Sequence, residues 1–296
     1  METFLAVSVV VVAYVLFDLR RSREQAPVRA IELLARVERS VGVSVSLDVR
    51  DRLHAAATRR VRWPVFARTA GYVVVTLSGV LFGTFDTGLA ERSPWLIGLL
   101  AGAGYLFAAA MGELVAHVAV GYRGFPADPQ HPRAAGAEAR LLADYVAPLK
   151  RAGWAISSVA LAAVLPIAVV VTRAFPPALP VLVLCLGSGL LSLGSWLSLR
   201  LLLRRPLPGF SEERLWQEAL LADSLQQVVV AASAANATTT LLALSAVAVL
   251  RNDLPTATLV AAAAVLLGAV TAVALVARSV SWRAQPPALR RRGALT

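Results

Sequence analysis

The sequence predicts an all-α, polytopic transmembrane bundle of about seven spans, N-terminus outside and C-terminus inside. Three observations predict it. The chain is 57% hydrophobic and 16% charged, with mean hydropathy +0.67, where a soluble domain carries about 25% charge. Several apolar runs reach the roughly 20 residues that a helix needs to cross about 30 Å of hydrocarbon. The basic residues also divide unevenly between alternate connections. The alternating ten-residue strands of a membrane β-barrel are absent from the sequence.

The first expected span is FLAVSVVVVAYVLF, Phe4 to Phe17. It is short and needs its flanks to cross. Met1-Glu2-Thr3 carries no positive charge, and Arg20, Arg21 and Arg23 follow the apolar stretch. That order is the reverse of a cleaved secretory signal and favours a retained N-out anchor. The other reading, a helix lying in the interface, leaves six spans with both ends inside. Next comes a basic cytoplasmic or interfacial segment, residues 20–66. VRAIELLARVERS puts Val28, Ile31, Leu34 and Val37 at helical spacing. VGVSVSLDV alternates Val41, Val43, Val45, Leu47 and Val49, the pattern of a strand, which needs a partner for its backbone. RDRLHAAATRRVRW resumes as a basic helix ending near Trp63-Pro64. The segment reads either as a docking module or as an amphipathic hairpin on anionic headgroups.

A six-span bundle, residues 67–278, follows. Its expected spans are Thr69 to Phe85, Trp95 to Val120, Ala155 to Val171, Pro180 to Leu203, Gln226 to Leu250 and Thr256 to Val276. A basic cytoplasmic tail, 279–296, ends the chain. Of the 29 Arg and Lys residues, 26 fall in segments 19–68, 121–151, 200–225 and 278–296. Arg92, Arg173 and Arg251 alone fall on the other side. Basic residues near span ends stay cytoplasmic, so the split sets the orientation and points to the plasma membrane. The net charge of +11 is therefore topological, and no nucleic acid is expected.

EARLLADYVAP (138–148) and QEALLADSLQQ (217–227) share LLAD before an apolar span, and each follows a Gly-Phe pair. LLAGAGYL (99–106) similarly matches LCLGSGLL (184–191). The pattern suggests parallel two-span units at 67–125, 138–210 and 217–278. Asp144 and Asp223 are expected on lead-in helices, pairing with nearby Arg. EARLLADYVAPLKRAGWAISSVALAAVL after a Pro-rich loop resembles uncharacterised multi-pass membrane proteins of high-GC bacteria, over about Gly124 to Leu250. What that resemblance implies is a polar, Asp-containing helix feeding an Ala-rich span. It brings no residue roles.

Two places carry candidate chemistry. GELVAH puts Glu113 and His117 four apart on one helix face inside an apolar run. An ionisable pair there can mark a proton path or an enzyme site. The run is longer than the hydrocarbon, so both residues are alternatively expected at the inner interface, snorkelling to water or Arg123. The second place is a pair of polar stripes. Ser188, Ser192 and Ser195 share one face of the fifth span, beside Gly187 and Gly189. Gln226, Ser233, Asn236 and Thr240 share one face of the sixth. Small residues and interhelical hydrogen bonds explain such stripes as packing; a solute path explains them as function.

No metal and no cofactor is expected. His54 and His131 have no ligand cluster around them, and lone Cys185 in an apolar run reads as a small core side chain. H-E-x-x-H, G-x-S-x-G and Walker A motifs are missing, and GAG (102–104) and GSG (187–189) read as packing glycines. Three readings remain open. One is a non-enzymatic membrane component that assembles with itself or a protein partner through residues 20–65, on a cytoplasmic face rich in anionic headgroups. The second is a permease passing a small solute between the fifth and sixth spans by Ser192, Asn236 and Thr240. The third is an intramembrane enzyme using Glu113 and His117.

Overall fold

A computed structural model describes residues 2–41, 47–83, 104, 107–119, 141–174, 179–204 and 211–251. Among the described residues every regular element is a helix. They are α1 (Glu2–Val41), α2 (Leu47–Gly83), α3 (Phe107–Ala119), α4 (Leu142–Tyr145), α5 (Pro148–Ala174), α6 (Leu179–Arg204) and α7 (Ser211–Arg251).

Among the described residues three helices are long and apolar enough to cross a membrane: α5, α6 and the Trp216–Leu244 stretch of α7. They contain most or all of the fourth, fifth and sixth expected spans. Their surfaces agree with that role. Ile156, Val159, Ile167 and Val170 on α5, and Val183, Leu186, Leu190 and Leu193 on α6, are all exposed. A face of that kind is costly in water and favourable against lipid. At the far end of α6, Arg200 lies 3.7 Å from the centroid of the Trp196 ring, and Arg204 occupies the last turn. Trp and Arg together at a helix end mark a headgroup boundary. The first and second expected spans lie within α1 and α2, except for 84 and 85. The third is described only at 104 and 107–119, and the seventh lies outside the described residues.

α7 is the central helix. Of its apolar stretch 61% is buried, against 22% and 28% for α5 and α6. Among the described residues three apolar clusters form, and α7 enters each. Near its start Trp216, Ala219 and Leu220 pack with Ala30 and Leu34 of α1 and with Leu53, Ala56 and Ala57 of α2. Further along, Leu225, Val228 and Val229 pack with Ala110 and Leu114 of α3, with Tyr145 and Val146, and with Leu191 and Leu199 of α6. Toward its end Leu242 and Ala243 meet Leu161 and Val164 of α5 and Val181 and Cys185 of α6. Cys185 is 1% exposed there.

The structure revises four expectations. The strand over 41–49 is not present at its ends: Val41 closes α1 and Leu47 opens α2, while 42–46 lie outside the described residues. Alternating valines satisfy a strand pattern, but a lone strand leaves its ladder unpaired, whereas a helix bonds to itself. The second revision concerns breaks. α1 runs unbroken past residue 20 and includes Pro27. α2 runs unbroken past Trp63-Pro64. The third concerns the inner face of α1, which is Ala26, Ala30 and Leu34, while Val28 and Ile31 are exposed. Small side chains let helices approach closely, and Ala30 shares one cluster with Ala56 and Ala57. The fourth concerns the LLAD pair. Leu141–Asp144 enters a four-residue helix that ends before Ala147, with Pro148 opening α5. Leu220–Asp223 lies inside continuous α7. Proline suits a first helical position and breaks the lead-in in one copy only. Leu141 is exposed and Leu220 buried.

Glycines set the closest approaches. A Cβ on Gly71 would meet the Ala108 carbonyl oxygen at 2.7 Å, so α2 and α3 touch backbone to backbone. One on Gly187 would meet Phe107 at 3.0 Å, which seats α3 on α6. Gly189 has nothing within 4 Å and is not a packing glycine.

Candidate functional site

The polar side chains of α5, α6 and α7 form a seam through the candidate spans. Its centre is Asn236, which is 0% exposed. The Ser192 hydroxyl donates to Asn236 Oδ1 at 2.9 Å. Asn236 Nδ2 donates to Ser158 Oγ at 3.1 Å. One carboxamide thus uses its acceptor on α6 and a donor on α5. Four residues back along α6 and three on along α7, the Ser188 and Thr239 hydroxyls share a 2.7 Å hydrogen bond, also buried.

Three further members of the stripes turn back on their own helices. Ser195 donates to the Leu191 carbonyl, Ser233 to Val229 and Thr240 to Asn236. Such i−4 bonds satisfy a hydroxyl in an apolar setting without lining a channel. Of the expected candidates, the structure therefore joins Ser192 to Asn236 and leaves Thr240 beside them, bonded within α7. Ser158 and Thr239 were missed at the sequence level. Their signals were the Ser157-Ser158 pair inside an oily run and the Thr238–Thr240 triplet, one residue off the face considered.

Glu113 and His117 do share α3. Glu113 is half-buried and His117 only 8% exposed. The His117 imidazole is therefore largely enclosed by protein. α3 is wedged between α2 and α6 at Gly71 and Gly187, so its flank is covered. Arg123 lies outside the described residues. Among the described residues no three His, Cys, Asp or Glu side chains gather as a metal-ligand group.

A second polar cluster sits at one end of the seam. Lys150 Nζ donates to Gln226 Oε1 at 2.7 Å, and Gln226 Nε2 donates to the Tyr145 carbonyl at 3.1 Å. This ties the α4–α5 junction to α7. Asp144 has a local role: the Leu141 N–H donates to its carboxylate at 3.2 Å, capping α4. A third link joins the first two helices to α7. Arg60 donates through Nη1 to the Leu220 carbonyl and the Ser224 hydroxyl. The apolar inner face of the α1–α2 pair is thus filled by the chain's own α7.

No protein-family model, no characterised protein sequence and no solved structure matches this chain.

Proposed function

We propose that this chain is a non-enzymatic, multi-pass plasma-membrane component of about seven spans, N-terminus out and C-terminus in. It works by holding a cytoplasmic helical head, residues 20–66, in fixed register with a membrane bundle, and it assembles there with a second copy or a protein partner. One observation carries this reading over the permease: Asn236 is fully enclosed, and each end of its carboxamide has a partner on a different helix. A solute path needs polar groups that can exchange partners with the solute. Groups that face one another across a closed seam act as fasteners.

The test is thiol accessibility. In a Cys185→Ala background, single cysteines at Ser192, Asn236 and the buried apolar control Leu242 are exposed to a membrane-impermeant maleimide from each side. All three are expected to resist labelling. Labelling at 192 and 236 with 242 protected would put water at mid-bundle and replace the proposal with the permease. Activity of any kind that depends on Glu113 and His117 would replace it with the enzyme.

A further inference from the structure

We infer that the start of α5 is a binding site for the phosphate of an anionic phospholipid headgroup, held by Arg151 and Trp154. The inference rests on reading α5 as a membrane span whose first turns lie at a leaflet surface.

The observation is a pair of donors without acceptors. Arg151 Nε and Trp154 Nε1 are both shielded from solvent, and neither has a hydrogen-bond partner among the described residues. Nearly all buried donors in folded proteins are satisfied, so two such groups one turn apart call for an outside acceptor. The i, i+3 spacing puts both on one face of α5. Arg151 is half-buried and Trp154 packs against the central core cluster, so neither side chain is simply loose on the surface.

The chemistry of the acceptor follows from the surroundings. Lys150 adds a second cation beside Arg151 and donates to the Gln226 amide oxygen. α5 contains no Asp or Glu. The positive end of a 27-residue helix points the same way. An anion with several oxygens suits this set, and guanidinium and indole N–H groups match phosphate geometry. The place of the site chooses the source. Leu149 and Ile156 flank it and are exposed, as lipid-facing residues are. A Trp and two basic residues at the end of an apolar span lie at headgroup depth.

The experiment uses native mass spectrometry of the full-length protein in detergent, titrated with phosphatidylglycerol or phosphatidylcholine. Wild type is expected to retain phosphatidylglycerol preferentially. Arg151→Met with Trp154→Phe is expected to lower that retention about tenfold, the scale of losing charge-assisted bonds. Arg173→Met, at the other end of α5, should leave it unchanged. If the double variant does not fold, Trp154→Phe alone keeps the ring, removes one donor and should still lower retention about threefold. Equal retention of both lipids, or retention unchanged in the variants, overturns the site. Displacement of phosphatidylglycerol by inorganic phosphate overturns the lipid assignment in favour of a soluble anion. Alkaline extraction of the native protein from membranes separates the two levels: release would remove the span reading itself, whereas retention with equal lipid binding would remove only the site.

Discussion

Replacing Asn236 by Ala measures what the seam contributes. The substitution deletes two interhelical hydrogen bonds, one to Ser192 and one to Ser158. In membrane proteins such bonds average about 0.6 kcal/mol each, with a maximum near 1.7. Two of them give about 1.2 kcal/mol. The partners are serines on helices, free to rotate to an i−4 carbonyl as Ser195 already does, so little further orphan cost is added. The cavity left by a truncated carboxamide adds to this. The expected total is about 1–3 kcal/mol of lost stability. The assay is mixed-micelle unfolding of the full-length protein, run as double-mutant cycles with Ser192→Ala and Ser158→Ala. Each cycle should return a coupling near 0.6 kcal/mol. Couplings indistinguishable from zero in both cycles would refute the claim that Asn236 fastens three helices. So would an Asn236→Ala protein as stable as wild type.

Other substitutions test other contacts. Gly71→Ala should destabilise by about 1–3 kcal/mol, because its Cβ would press on the Ala108 backbone rather than on a movable side chain. Gly189→Ala, with open space around it, should be neutral or stabilising by up to about 1 kcal/mol in the same unfolding assay. Arg60→Met should loosen the α1–α2 pair from α7, seen as faster amide exchange in residues 47–60 at little cost to α5 and α6. Glu24→Ala removes an exposed i, i+4 pair with Arg20 and should change stability by less than about 0.5 kcal/mol.

Hydropathy made α5 and α6 legible, because an oily span is a length and composition signal that neighbours hardly alter. It failed to show that α1 and α2 are continuous, since the Arg-rich stretches that end a hydropathy peak do not end a helix. The inner face of α1 was misread for a related reason. Periodicity draws the eye to large apolar residues such as Val28 and Ile31, whereas the buried face of α1 is Ala26, Ala30 and Leu34, of which Ala30 and Leu34 cluster with α2. At the seam, spacing placed Ser192 and Asn236 on the right faces of their own helices. It carried no information on which helices would face one another. The third partner, Ser158, and the tie from Arg60 to Ser224 depend on that arrangement, with 78 and 164 residues separating the bonded groups.

α7 is a single 41-residue helix, about 61 Å from end to end at 1.5 Å per residue. Among its ties, Arg60 grips it at Leu220 and Ser224, and the seam grips it at Asn236. The two grips are about 24 Å apart along the axis when measured from Leu220. A rod held at two points this far apart keeps one tilt relative both to the α1–α2 pair and to α5 and α6.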